Sequence, residues 1–341
     1  MEHDAVITPE HTEDDTIDHA IRPKLLNDFV GQTELKEKLS IYVGSAKIRS
    51  EPLDHTLFYG PPGLGKTTLA MIIAHEMGVE IRSTSAPVIE RAGDLASILT
   101  TLKEGDVFFI DEVHRLKPQV EEILYSAMED YFVDIKIGEG VAAKSYRVPL
   151  PKFTLVGATT RAGMLSSPLY HRFGIVERLN FYNEEELCRI VARSCKLLDI
   201  PIESAGASMI ARRARGTPRI VNRLIRRMRD YAVMKSNGVI TEDNGAQALK
   251  LLGIDERGLD ALDKKYLRVI IEHYGGGPVG IETIAVSLSE DPETIEDVVE
   301  PYLIQCGFVR RTPKGRMTTR GAWQHLGITH NAPDIFTGIE E

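Results

Sequence analysis

The stretch Gly60-Pro61-Pro62-Gly63-Leu64-Gly65-Lys66-Thr67 fits the pattern GxxxxGK(S/T) in full. Glycines in that order let successive backbone N–H groups curl round phosphate oxygens, and a helix that starts at the lysine aims its positive end at them. Lys66 then reaches the outer phosphates of a nucleoside triphosphate, and the Thr67 hydroxyl is a ligand for Mg²⁺. Further along, Val107-Phe108-Phe109-Ile110-Asp111-Glu112 is an apolar run closed by two carboxylates. Asp111 suits a Mg²⁺ site, through water, and Glu112 suits the orienting of an attacking water. Phosphoryl transfer rests on such positioning and charge stabilisation. Residues 155–161 (LVGATTR) form a third apolar run with a polar end. There Thr159 or Thr160 can report on the γ-phosphate, a strand-end cap being the plain alternative. His114 reads as a surface histidine.

These groups need a frame that brings them together. A short strand at 55–59 feeds the glycine turn and a helix at 64–77 leaves it. Runs 107–110 and 153–158 have the length and continuous apolarity of buried parallel strands. Strands alternating with helices predict an α/β fold with a doubly wound parallel sheet. From Asn183 the strands stop. Stretches 184–198, 204–215, 218–234 and 241–252 read as amphipathic helices, with Gly216-Thr217-Pro218 ending one and starting the next. After Asp255 comes a helix at 259–274, ended by Gly275-Gly276-Gly277-Pro278. Short helices follow at 281–288 and 293–306, the latter kinked or broken at Pro301. Two strands then flank the turn Thr312-Pro313-Lys314-Gly315. Three helices and a hairpin make a winged helix, a variant of the helix-turn-helix.

The bulk properties bound the reading. At roughly 100–200 residues per domain, 341 residues suggest two or three domains. Hydrophobic residues at 43% and charged residues at 27% fit a soluble globular chain with a real core. No apolar run is long enough to span a membrane, and the N-terminus lacks a signal-peptide pattern. The acidic start (1–20) and the end (331–341) read as flexible tails. Cys188, Cys195 and Cys306 have no CxxC spacing, which argues against a zinc site or a disulfide framework and for a reduced, cytoplasmic protein. The net charge of −9 means that any nucleic acid is held by a local patch.

Two arginine-rich stretches qualify. In 212–229, eight arginines occur without an acid; a solvated face is preferred there over a DNA channel. The other is the wing, with Arg310, Arg311, Lys314, Arg316 and Arg320. The helix that would enter a major groove carries Glu293, Glu296, Asp297 and Glu300, which phosphates would repel. The wing is therefore the expected DNA contact, made to phosphates and so blind to sequence. Trp323 is expected to pack in the small-domain core. Between the second and third apolar runs, 131–150 reads as a hairpin. Val133, Ile135 and Ile137 lie on one face, Gly138-Glu139-Gly140 forms the turn, and Tyr146, Val148 and Leu150 share the returning face. It either folds on its own domain or docks a partner.

The order of these motifs, from Gly60 to Thr160 followed by helices, resembles the AAA+ P-loop ATPases with their small helical lid. The fuller series is closer still. Ala20-Ile21-Arg22-Pro23, FVGQ, GPPGLGKTT, FFIDEVHRL, LYSAMEDY, LVGATTRAGML, RFGIVERL, RRARGTPRIVNRL, GGGPVGIETIA and EPYLIQCGFVRRTPKGRM together resemble the RuvB family of Holliday-junction branch-migration motors. The resemblance implies a hexameric ring on duplex DNA, driven by ATP/ADP turnover with Mg²⁺, working with RuvA and in a larger complex with RuvC. It implies domains at 21–182 (ATPase), 183–255 (lid) and 256–330 (winged helix). Family positions that touch nucleotide fall on Ile21, Arg22, Gly63, Gly65, Lys66, Thr67, Thr68, Glu129, Asp130, Tyr131, Tyr182 and Arg219, with Arg172 supplied to a neighbouring subunit's site. Those for RuvA fall on the hairpin, at Tyr146 and Val148, and those for DNA on Arg311 and Arg316. One departure stands out: the family's LRDRFG reads LYHRFG here, so Tyr170 replaces an arginine while Arg172 is kept. An ATP-switched loader with a winged helix is the competing class, but its recognition helix would need to be basic.

Overall fold

The computed structural model describes residues 20–137 and 144–329. The hairpin turn Gly138-Glu139-Gly140 and all but residue 20 of the tails lie outside the described residues. The chain packs as two compact units. One holds the described residues up to Pro201 together with Thr217–Arg223; the other holds Ile202–Gly216 and the described residues from Leu224 onward.

In the first unit, strands β1 (Thr56–Tyr59), β2 (Ile81–Ser85), β3 (Val107–Asp111), β6 (Thr154–Thr159) and β7 (Ile175–Arg178) form a sheet, and β4 (Phe132–Ile137) and β5 (Lys144–Pro149) a separate hairpin. The sheet runs β2-β3-β6-β1-β7 and all its pairings are parallel. Its central strands are buried along nearly their whole length, which is why they read as unbroken apolar runs. On one side Leu57, Phe108, Ile110 and Leu155 pack with Leu95, Leu99, Val120 and Leu124 in a single core. The helix Lys66–Met77 buries Leu69, Ile72 and Ile73. Because β1, β6 and β3 are neighbours, their carboxyl ends lie side by side, with Tyr59 opposite Thr159 and Ile110 opposite Gly157. Open parallel sheets bind ligands at that edge.

The hairpin is rooted in the same core. Val133 pairs with Val148 and Ile135 with Tyr146. Val133 is 1% exposed, Val148 packs partly against the core, and Leu150 is buried. Tyr146 is 50% exposed.

In the second unit the helices Ser204–Arg213 and Glu242–Leu251 pack together, and an isolated bridge joins Ile202 to Ile240. Next come a helix from Ala261 to Arg268 that widens over Val269–His273, then Ile281–Leu288, then a helical stretch from Pro292 to Gln305. That last stretch widens to five-residue turns over Ile295–Val299, directly ahead of Pro301. Proline has no N–H to give the preceding turn, so the helix accommodates it by widening. Strands β8 (Val309–Thr312) and β9 (Gly315–Thr318) pair antiparallel as the wing. Tyr266, Ile270, Ile284, Leu303 and Trp323 form the core of this winged helix. Trp323 is 8% exposed and donates its indole N–H to Thr318, as core packing requires.

Candidate functional site

The glycine turn follows β1 and opens the helix Lys66–Met77. Gly60, Gly63 and Gly65 hold φ of 137°, 79° and 105°, a region that costs a side-chain-bearing residue dearly. Space forbids side chains as well. A Cβ on Gly60 would meet the Leu179 carbonyl at 2.5 Å, and one on Gly65 would meet the Phe29 ring at 3.0 Å. Lys66 is 7% exposed, and its ammonium donates to the carbonyls of Gly60 at 2.7 Å and Pro61 at 3.0 Å. Burial pulls its pKa below the usual lysine range, while the carboxylates of Glu112 and Asp111 pull it back up. A buried cation facing two carboxylates, beside a backbone cradle with no room for Cβ atoms, fits a polyphosphate with its metal.

A cleft of about 290 Å³ opens here. It is lined by Ile21, Arg22, Gly63, Gly65, Lys66, Thr67, Thr68, Asp111, Glu112, Tyr182 and Arg219. Eleven expected positions, from the start of the first unit to its last helical turns, thus converge on one cavity. Tyr182 is 5% exposed and donates its hydroxyl to the Leu64 carbonyl at 3.0 Å; burial pushes its pKa well up. The Arg219 N–H donates to the Gly63 carbonyl at 3.3 Å, which ties that turn of helix to the glycine loop. Some wall residues, among them Ile190 and Arg193, fall outside every motif read from the sequence. Arg193 donates to the Ile21 carbonyl at 2.6 Å and fixes the arm that carries Arg22.

The two threonines are placed differently. Thr160 lines the cleft and reaches the Glu112 carboxylate at 3.3 Å. Thr159 is fully buried and accepts from the Arg161 N–H at 2.9 Å. His114 is not a surface histidine. Its side chain is 4% exposed, with Nδ1 2.8 Å from the Thr159 hydroxyl and 3.2 Å from Glu112 Oε2. A short helical turn over Val113–Arg115 folds it back under the strand ends, a turn that the sequence pattern does not announce.

Glu129, Asp130, Tyr131 and Arg172 do not line this cleft. Glu129 and Arg172 meet elsewhere in the same unit. Arg172 pairs with Glu129 at 3.1 Å, donates to the Pro168 carbonyl at 2.8 Å, and lies over the Tyr125 ring at 4.4 Å. Tyr125 and Ser166 both donate to the buried Glu121 carboxylate and so brace the segment that ends in Arg172. Tyr131 packs edge-on against Phe153.

On the wing, Arg310, Arg311 and Lys314 are exposed and Arg316 is half-buried. Glu300 corrects the expectation of four groove-facing carboxylates: it is fully buried and turned inward. It accepts from Arg311 at 2.7 Å, from Arg316 at 2.9 Å and from the Tyr266 hydroxyl at 2.9 Å. Arg316 also pairs with Glu296. The two family-matched wing arginines are therefore internally compensated, whereas Arg310 and Lys314 point to solvent. The 212–229 stretch is likewise not a uniform solvated face. Arg215 is 7% exposed and donates to Asp260 at 2.9 Å, Asp263 at 2.6 Å and the Gly258 carbonyl at 2.8 Å.

Sheet order, glycine loop, paired carboxylates and cleft together define a P-loop ATPase fold of the AAA+ kind, followed by a winged helix. Comparison with known proteins makes this specific. Residues 21–179 match the description "Holliday junction DNA helicase RuvB P-loop domain", 182–255 the RuvB AAA lid domain, and 256–327 the RuvB C-terminal winged helix domain. A solved structure described as the Holliday junction branch migration motor RuvB of Thermotoga maritima is 50% identical. It covers 92% of this chain and 100% of that one, with a TM-score of 0.84. Two single-substitution variants of that protein, also 50% identical and matching 92% of this chain, are covered to 99% and 100% and give 0.85. The chain belongs to the RuvB family. Among the described residues no helix is long and apolar enough to cross a membrane.

Proposed function

We propose that this chain hydrolyses ATP and uses the energy to drive branch migration of Holliday junctions as a homohexameric ring on duplex DNA, in partnership with RuvA and alongside RuvC. The observation that carries the reading is the single cleft in which the glycine loop, Lys66, Asp111, Glu112 and Thr160 meet. The branch-migration part rests on the match of all three segments to RuvB domains. Domain limits at 21–182, 183–255 and 256–330 follow from the same reading. So does a cytoplasmic setting, in keeping with three cysteines that form no disulfide among the described residues.

In this reading the glycine-loop N–H groups and Lys66 hold the β- and γ-phosphates. Thr67 and Asp111 hold the metal; an ion held partly by substrate phosphates needs only one or two protein ligands. Bound Mg²⁺ would supply charge neutralisation on the transferred phosphoryl group. Glu112 orients the attacking water and Thr160 senses the γ-phosphate, with Thr159 behind it. Ile21, Arg22, Tyr182 and Arg219 close on the nucleotide. Arg172, with Glu129, Asp130 and Tyr131, faces the neighbouring subunit's site. Arg310, Arg311, Lys314 and Arg316 meet DNA phosphates, and the hairpin meets RuvA through Tyr146 and Val148. The test is ATP-dependent dissociation of a synthetic four-way junction, with and without RuvA, by wild type and Glu112→Gln. Dissociation that needs RuvA and vanishes in the variant is expected. A wild type that hydrolyses ATP yet leaves the junction intact in both conditions would refute branch migration.

A further inference from the structure

His114 is the buried titratable group that the reading above leaves without a task. Glu112 sits at the end of β3 with φ of 48°, a left-handed turn that swings the chain out of the sheet. The next residues return beneath it: Val113 is fully buried and the His114 side chain is 4% exposed. This places one imidazole nitrogen against two adjacent strands. Nδ1 lies 3.2 Å from Glu112 Oε2, at the end of β3, and 2.8 Å from Thr159 Oγ1, at the end of β6.

The proton inventory fixes the roles. Thr159 Oγ1 already accepts the Arg161 N–H. A bare Nδ1 would turn a lone pair toward a carboxylate oxygen at 3.2 Å, which is repulsive. An Nδ1–H serves both oxygens, with Glu112 Oε2 and Thr159 Oγ1 as acceptors. Oε2 also accepts from Thr160 Oγ1 at 3.3 Å. These contacts all fall on Oε2. They leave Oε1, on a side chain that is 36% exposed, for the cleft.

We propose that His114 is a positioning residue for ATP hydrolysis. Through Nδ1–H it pins one oxygen of the Glu112 carboxylate to the strand that ends in Thr159, just before Thr160, so that the other oxygen is aimed at the attacking water. The inference rests on Glu112 being the water-orienting carboxylate. It adds that the aim of Glu112 is set by β6, through an imidazole that does not line the cleft. A γ-phosphate contact felt by Thr160 then reaches Glu112 by two routes, directly and through Thr159 and His114.

The test separates the two ring nitrogens on the full-length chain. An asparagine amide nitrogen falls near Nδ1 of the histidine it replaces; a glutamine amide falls near Nε2. Steady-state ATPase rates, affinity for a fluorescent ATP analogue and melting temperature are measured for His114→Ala, His114→Asn and His114→Gln, with Glu112→Gln as reference. His114→Ala and His114→Gln should lose about tenfold or more in kcat, about 1.4 kcal/mol of barrier, with KM and analogue affinity held within about twofold. His114→Asn should recover to within about threefold of wild type. His114→Ala added to Glu112→Gln should cost nothing further, because both act through one carboxylate. A role confined to packing would lower the melting temperature and treat Asn and Gln alike. Equal activity of the Asn and Gln variants, or a KM change with kcat intact, would overturn the proposal. Should Glu112→Gln itself hydrolyse ATP at the wild-type rate, the reading of Glu112 fails. With Glu112→Gln inactive and the His114 variants unimpaired, only the present inference fails.

Discussion

Replacing Glu300 by alanine should destabilise the winged helix by about 3–5 kcal/mol, the cost of leaving one side of a buried ion pair without its partner. The contributions are unequal. Arg311 is 49% exposed on its side chain and can turn to water, so its share is small. Arg316 is 15% exposed and keeps only Glu296, itself 30% exposed. Tyr266 is fully buried, and its hydroxyl loses its acceptor, a loss of about 1–3 kcal/mol alone. The assay is built into the chain. Its one tryptophan, Trp323, lies in this core, so urea unfolding followed by tryptophan fluorescence reports on this domain and little else. The midpoint should fall with the slope unchanged. Tyr266→Phe should recover part of the loss in the Glu300→Ala background, since it deletes the orphaned hydroxyl. A shift under about 1 kcal/mol would show that the network is solvated and that Glu300 does not brace the wing.

Four further outcomes follow from the same geometry. Gly63→Ala should weaken nucleotide binding at least tenfold, because φ is 79° and the new Cβ would sit 3.0 Å from the Arg219 Cβ; an isotherm like wild type would refute the cradle. Burial pushes the Asp263 carboxyl up to about 7, against the pull of Arg215. The folded state therefore binds the proton more tightly than the unfolded chain, whose carboxyl titrates near 3.9. Asp263 costs stability above pH about 7, and the cost is relieved as pH falls toward 4, at up to about 1.4 kcal/mol per pH unit. Asp263→Asn should flatten that slope in pH-resolved unfolding. Lys314→Ala should lower the salt slope of DNA binding by about one, evenly across sequences, whereas Arg316→Ala should also lower the unfolding midpoint. Tyr146→Asp should abolish RuvA stimulation with basal ATPase and melting temperature intact; Val148→Asp should lower the melting temperature too, since Val148 packs on its own core.

Legibility followed burial and punctuation. β1, β3 and β6 are apolar because they are central, and the glycine loop is bound to its own spacing, so the sheet edge that carries the cleft could be read directly. The edge strand β2 (IRSTS) is half-exposed and carries no apolar run. The helix Thr33–Arg49 buries Leu35, Leu39, Val43 and Ala46 but leaves Ile41 68% and Ile48 87% exposed, which blurs its stripe. His114 and Glu300 depart from what their polarity suggests for a shared reason. Each is polar at a position where polarity usually means solvent, and each is buried by partners distant in sequence: Thr159 for one, Arg311, Arg316 and Tyr266 for the other. Glu300 shares its face with buried Leu303, three residues on, but it follows the widened turns over Ile295–Val299, which shift the helical phase and hide that face from a sequence pattern. Only tertiary structure could point to His114.

The cleft draws its wall from Ile21 at one end of the first unit and Asn222 at the other. A molecule that touches both closes a loop spanning nearly the whole unit, as a cross-link would, but a reversible one. Closing so long a loop costs chain entropy that grows only slowly with length, so it adds little penalty beyond that of a much shorter closure. What the occupant gains in affinity appears in full as resistance to unfolding, by mass action. An occupant bound to both walls would therefore act as a removable staple, and its release would leave the arm at Ile21 and the helix at Arg219 joined by protein contacts alone.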